Sequence, residues 1–312
     1  MRVEVEDFSI QDVKKDQYDE VEVRLDLGPL ELKAQVLESF DDLIDREWYR
    51  KGNLYELNKL RLLLKEKGKL ILGNRYEGPV DSGYISRLEI LLNKAGFVDL
   101  KVVRQSPSLL LEAVKRPLYS EEFEYGMHLR EIIDPDETQA CHEFAKEYYY
   151  YKDFNYDFDV VRQFDLNADL LVVYDGTGRI SSLVRSILRV PDYYCPFMYA
   201  VDAADRHYRI PDEFVRFTEM MALYKEGKKG VVAFKRLMES LTQYASSIGR
   251  FDSIWTTYDE ADAYTGTYYK NKFRMREMGV KLYFRDFGGA WNLLLTDRIA
   301  ELKTIHRDLF KR

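Results

Sequence analysis

Cysteine is nearly absent: two residues, Cys141 and Cys195, occur among 312. Two thiols cannot staple a small secreted scaffold or furnish a cysteine-rich zinc site. The four histidines, His128, His142, His207 and His306, show no ligand spacing, so no metal is expected. Long apolar runs are missing too, and nothing approaches the roughly 18 uninterrupted apolar residues that cross a bilayer. The opening Met-Arg-Val-Glu-Val-Glu-Asp offers no apolar core for a secretory signal. A cytoplasmic protein with reduced thiols is the expectation. Glycine and proline are sparse, 17 and 8, which excludes a low-complexity or disordered chain. Positive charge is in the minority, with 47 Lys and Arg against 54 Asp and Glu for a net charge of -7. Bulk charge therefore excludes nucleic acid as the expected partner.

Aromatics are abundant instead. The chain holds 24 Tyr and 17 Phe, clustered at Tyr148 to Tyr151 and at Tyr193-Tyr194. Two readings stand: a core rich in amphipathic rings with wet hydroxyls, or a long apolar ligand groove. The length is about twice that of a common domain, so two units are expected. The seam lies around Lys115-Arg116-Pro117-Leu118-Tyr119-Ser120, which divides the chain into 1–117 and 118–312.

Before the seam, short apolar strands alternate with helical periods. Val3 to Val5 and Tyr18 to Leu25 read as strands. From about Ala34 to Glu66, Leu54, Leu57, Leu60, Leu63 and Leu64 mark a helical stripe that Gly68 is expected to end, ahead of a buried strand Lys69 to Leu72. A second helix, Ile85 to Ala95, stops at Gly96 and leads into a strand pair, Val98 to Arg104 and Ser108 to Val114. This order predicts an α/β layer.

After the seam, Glu124 to Ile133 reads as a strand, and Asp134-Pro135-Asp136-Glu137 caps a helix over Thr138 to Tyr151. Leu170 to Tyr174 and Ile180 to Leu188 form a hairpin about Asp175-Gly176-Thr177-Gly178. Phe214 to Leu223 is a strand, and a helix over Val231 to Ile248 follows Gly227-Lys228-Lys229-Gly230. Then come strand Phe251 to Thr257, a helix from Asp259 to Lys272, strands Lys281 to Phe287 and Ala290 to Thr296, and a closing helix, Ile299 to Leu309. The Gly227 to Gly230 turn is the best chemical signal on first principles. It presents backbone N–H groups at the positive end of a helix, with Lys225, Lys228, Lys229, Lys235 and Arg236 around it, a seat for phosphate. The competing reading is an ordinary surface Lys-Gly turn.

Tyr18-Asp19-Glu20-Val21, Leu62 to Leu72 and Leu91-Leu92-Asn93-Lys94-Ala95-Gly96-Phe97 together resemble the second half of a Rossmann-like, S-adenosylmethionine-dependent methyltransferase domain. The Gly-x-Gly loop and acidic residue that would hold the cofactor are missing. The resemblance thus implies a truncated half-domain that does not bind S-adenosylmethionine and serves packing or homodimer formation.

Residues 124 to 298 resemble the GNAT-type N-acyltransferases, specifically the branch of N-acyl amino acid synthases and acyl-homoserine-lactone synthases. The carrying phrases are Phe217-Thr218-Glu219-Met220-Met221-Ala222-Leu223, Asp252 to Thr257, Tyr268 to Phe273 with Met278-Gly279, and Asn292 to Asp297. The chain departs from that pattern at Val232, Met220-Met221 and Ser181-Ser182. A GNAT-like mixed sheet flanked by helices is implied, with acyl-CoA or the acyl-phosphopantetheine of an acyl-carrier protein as donor. An amine such as an amino acid is the implied acceptor. The donor-binding residues would be Leu223, Gly227, Lys228, Lys229, Gly230, Val231 and Lys235. Glu219 would take the amine's proton, a strand N–H near Leu223 would hold the oxyanion, and Tyr268 would protonate the leaving thiolate. Two plainer readings stand beside these. Glu219 is solvent-facing or paired with Arg185 or Arg216, and Tyr268 is a core tyrosine. Met220, Met221 and the aromatics between Pro191 and Pro211 (Tyr193, Tyr194, Phe197, Met198, Tyr199) would wall a pocket for a fatty tail, or else form a lid. The competing function is a catalytically degenerate binding or regulatory protein.

Overall fold

The computed structural model describes residues 2–5, 17–25, 56–74, 80–104, 109–151, 168–188, 197, 200–211, 213–214, 217–225, 227–248, 252–284 and 289–297. The chain divides into two compact units: Met1–Leu118 with Ile133–Glu137, and Tyr119–Ile132 with Thr138–Arg312.

The first unit is a five-stranded sheet in the order β1-β2-β3-β5-β4. Strands β1 (Arg2–Val5), β2 (Tyr18–Leu25) and β3 (Leu64–Asn74) run parallel, while β5 (Leu109–Lys115) inserts antiparallel between β3 and β4 (Phe97–Arg104). Helix α1, described over 56–63, buries Leu57, Leu60 and Leu63 at the helical spacing read from the sequence. It ends earlier than Gly68. Leu64 already belongs to β3, and the pairing of β2 with β3 slips between Tyr18 and Glu20, so that residues 65–68 bulge. Lys67, not the glycine, takes the left-handed conformation, with φ 62°. Three successive leucines at 62–64 fit a last helical turn and a buried strand equally, so periodicity could not place that boundary. Helix α2 (Ser82–Lys94) starts where the Asp81 carboxylate accepts the Tyr84 amide at 2.7 Å and ends ahead of Gly96, φ 82°. The part of the first helical stripe before residue 56 lies outside the described residues.

The second unit is an eight-stranded mixed sheet, ordered β12-β13-β11-β10-β9-β8-β7-β6. Its strands are β6 (Ser120–Glu122), β7 (His128–Ile132), β8 (Ala168–Tyr174), β9 (Ile180–Leu188), β10 (Phe217–Tyr224), β11 (Ser253–Asp259), β12 (Arg276–Leu282) and β13 (Trp291–Thr296). Only β10 and β11 pair in parallel within it. Helix α3 (Pro135–Tyr151) contributes Cys141 and Ala145 to the core on one face, among Leu170, Ile187, Phe217 and Trp255. Helices α4 (Lys228–Ile248) and α5 (Ala263–Lys272) cover the other face, where Leu237, Met238, Leu241 and Tyr244 meet Leu171, Met220 and Ile254.

Three sequence expectations are corrected here. Residues 124–126 form a single 3-10 turn rather than strand, because Tyr125 and Gly126 are both left-handed. Helix α4 begins at Lys228, so Gly230 sits in its first turn and only Gly227, φ 97°, precedes it. Strand β12 starts at Arg276, well before Lys281; an exposed, charged edge strand carries no apolar alternation to read. The expected closing helix at 299–309 lies outside the described residues.

Candidate active site

The ladder between β10 and β11 lasts three residue pairs: Phe217 with Ser253, Thr218 with Ile254, and Glu219 with Trp255. Beyond them the strands part, while β10 stays paired to β9 through Tyr224 and β11 to β13 through Asp259. One edge of each strand is thus freed in mid-sheet. A side chain ends the ladder, for Thr256 Oγ1 donates to the Met220 carbonyl at 2.9 Å, where a strand amide would otherwise bond. The gap is a cavity of about 420 Å³, lined by Glu219 to Tyr224 from β10 and Thr256 to Asp259 from β11.

Backbone direction along β10 follows from its partners. Lys225 N–H donates to the Ser181 carbonyl at 2.9 Å and the Leu223 carbonyl accepts Ser182 Oγ at 2.9 Å, so odd-numbered residues turn their amides to β9. Even-numbered residues turn theirs to the gap. Leu223 lines the cavity with its side chain, but the backbone donors aimed into the opening belong to Ala222 and Tyr224. The sequence names a strand N–H near Leu223 as the expected oxyanion donor, and the pleat decides which amides there face the opening.

Glu219 sits where the strands divide. It is 2% exposed, lines the cavity, and its Oε2 accepts the Phe197 amide at 2.8 Å. Burial pushes its carboxyl up to about 8, only partly offset by that N–H. The solvent-facing reading therefore fails, and no cation among the described residues contributes to the shift. Arg185 stands opposite Met221, and Arg216 lies outside the described residues. Phe197 is fully buried and stacks on Trp255 at 5.3 Å and 11°. It fixes the carboxylate from the far side rather than walling a tail pocket. Tyr193, Tyr194, Met198 and Tyr199 lie outside the described residues.

Tyr268 lines the same cavity from α5, beside Phe234 at 5.7 Å. Burial foremost, then the negative charge of Glu239, raises its phenol to about 12, so it keeps its proton at neutral pH. Val231 and Lys235 line the cavity from α4; Gly227, Lys228, Lys229 and Gly230 lie at the start of that helix without lining it. A Cβ on Gly230 would lie 1.6 Å from the Lys225 carbonyl oxygen, so only glycine lets the chain turn this tightly from β10 into α4. Sequence reasoning missed the role of the Thr256 hydroxyl and that of the Phe197 backbone amide. Thr256 was inside a quoted phrase, but nothing in the phrase marks a hydroxyl as a strand terminator. Among the described residues, no group of three or more His, Cys, Asp or Glu could hold a metal ion.

The second unit is thus a mixed sheet whose two central parallel strands splay, with a glycine-turned helix after the first and a tyrosine-bearing helix after the second, an arrangement that agrees with the one expected from the resemblance to GNAT-type acyltransferases. No protein-family model matches the sequence, nor does any curated protein. Among solved structures, FeeM, an N-acyl amino acid synthase from uncultured soil microbes, is 12% identical, with 60% of this chain and 95% of that one covered and a TM-score of 0.45. The ribosomal-protein-S5-alanine acetyltransferase of Vibrio fischeri is 12% identical, covering 57% and 96% at a TM-score of 0.39. A GNAT-family acetyltransferase from Streptococcus pneumoniae is 11% identical, covering 55% and 98% at 0.37. Among the described residues, no helix is long and apolar enough to cross a membrane.

Proposed function

We propose that the second unit is an N-acyltransferase that moves an acyl group from a thioester to an amine by direct attack. The observation that carries this reading is the opening of β10 from β11 at Glu219, with a buried carboxyl at its apex and unpaired strand edges along it. An extended thioester arm has amides that can bond such an edge as a strand would. Its phosphate would lie toward the first turn of α4, where Lys228, Lys229 and Lys235 are all exposed. The donor is an acyl-CoA or the acyl-phosphopantetheine of a carrier protein, and Met220, Met221 and Phe234 suit a flexible alkyl chain.

In the reaction, the amine nitrogen loses a proton to ionised Glu219 and bonds to the thioester carbon. The Ala222 or Tyr224 amide holds the oxyanion. Collapse breaks the carbon–sulfur bond, and the thiolate leaves with the Tyr268 proton. No covalent enzyme intermediate is needed. For the first unit we retain a supporting or dimerising role. Its order β1-β2-β3-β5-β4, with β5 antiparallel, supports a methyltransferase-like half-domain without the cofactor loop.

The test is a panel of acetyl-CoA, long-chain acyl-CoA, an acylated carrier protein and S-adenosylmethionine, scored by melting temperature and by thiol release with added amines. Stabilisation and amine-dependent thiol release with acyl donors are expected. Stabilisation by S-adenosylmethionine alone would overturn the reading.

A further inference from the structure

The cavity has two sides of unlike chemistry. Strand alternation puts Ala222, Tyr224 and Tyr258 on the face covered by α4 and α5, together with Lys235 and Tyr268. Glu219, Met221 and Asp259 point to the other face, where Tyr148, Phe284 and Trp291 complete the wall. Carboxylates dominate: Glu219, Asp259 and Asp262 face a single lysine among the described lining residues.

Asp259 is built as an anchor. It stands directly opposite Trp291 in the β11–β13 ladder, and Trp291 meets Phe284 edge-on at 5.9 Å and 86°. Its Oδ1 accepts the Ala261 amide at 2.9 Å, which fixes the carboxylate's direction. Its second oxygen has no partner among the described residues. A carboxylate beside two aromatic rings attracts an ammonium by charge and by the ring faces together. Because Trp255 pairs with Glu219, the four residues from Trp255 to Asp259 set the two carboxylates about 13 Å apart along β11. That separation is comparable with an extended diaminooctane.

We infer that the acceptor is an extended α,ω-diamine, whose reacting nitrogen lies at Glu219 as the free amine and whose second nitrogen is held as an ammonium by Asp259 against Trp291 and Phe284. The inference rests on the acyltransferase reading above and narrows it. An α-amino acid would bring its own carboxylate into a cavity that already carries Asp259 and Asp262, so it is the disfavoured acceptor.

The test compares diaminooctane with octylamine and with leucine, using the full chain and one acyl-CoA, and reads kcat/KM. Diaminooctane is expected to exceed octylamine at least tenfold, with leucine last. In Asp259→Asn, which keeps an oxygen for the Ala261 amide, the ratio of diamine to monoamine is expected to fall toward one. A series from diaminohexane to diaminododecane should peak near the middle. Equal use of octylamine and diaminooctane, preference for leucine, or an unchanged ratio in Asp259→Asn would overturn the inference while leaving the acyltransferase reading intact. Calorimetric titration of diaminooctane into the wild type and Asp259→Asn, without donor, is independent of turnover. Absence of all transfer with tighter wild-type binding would overturn the reaction and keep the diamine site. Equal binding by the two proteins would overturn the site.

Discussion

Replacing Glu219 with glutamine should make the protein more stable at alkaline pH. The carboxyl is buried at the apex of the cleft and lifted from 4.5 to about 8. Between those values the unfolded chain has released a proton that the native protein keeps, so native stability falls as pH rises. At 1.36 kcal/mol for each pH unit, the interval is worth about 5 kcal/mol, a ceiling that relaxation and entering water reduce. Glutamine cannot ionise, yet its carbonyl oxygen can still accept the Phe197 amide. Urea unfolding of the two proteins from pH 5 to pH 9 is the assay, and it contains no substrate whose own titration would intrude. The curves should coincide near pH 5 and diverge by several kcal/mol at pH 9, with the variant the more stable. Parallel curves would refute a buried, proton-retaining carboxyl at this position. The same variant should lose amine transfer by about a hundredfold or more if Glu219 is the base.

Tyr268→Phe removes the proposed acid while keeping the ring against Phe234; kcat should fall about a hundredfold with little change in KM, measured by thiol release. Thr256→Val deletes the hydroxyl that ends the β10–β11 ladder, which should cost about 1 kcal/mol in denaturant unfolding. Gly230→Ala sets a methyl against the Lys225 carbonyl and should lower stability by about 3 kcal/mol or more, seen as a large drop in melting temperature. Gly96→Ala combines φ 82° with a Cβ 2.5 Å from Arg61 Nε, and about 1–3 kcal/mol should be lost from the first unit.

Elements with a strong period were legible in the sequence. Helix α4 was read from Leu237, Met238, Leu241 and Ala245, and the β8–β9 hairpin from its Asp-Gly-Thr-Gly turn. Boundaries set by tertiary contacts were not. Leu64 looks like helix until β2 and β5 are known to flank it, and β12 is too polar to announce itself. At the site, Glu219 was identifiable as an acid in the middle of an apolar strand, whereas Tyr268 was named only through the resemblance to GNAT-type acyltransferases. The choice of Ala222 and Tyr224 over Leu223 depends on which edge of β10 faces β9, a pairing that no local pattern encodes. Phe197 was noticed for its ring, whereas its backbone N–H is what reaches the carboxylate.

The parted strands also bear on what kind of donor the domain can tell apart. A thioester bearing peptide-like linkages could complete the sheet by docking along β10 as a transient extra rung, while a simple alkyl thioester of equal reactivity has nothing to offer those amides. In the proposed acyltransferase, discrimination of this sort would reside in the main chain, so side-chain substitutions around the opening would retune the fatty or amine portion without erasing the preference for an amide-bearing arm.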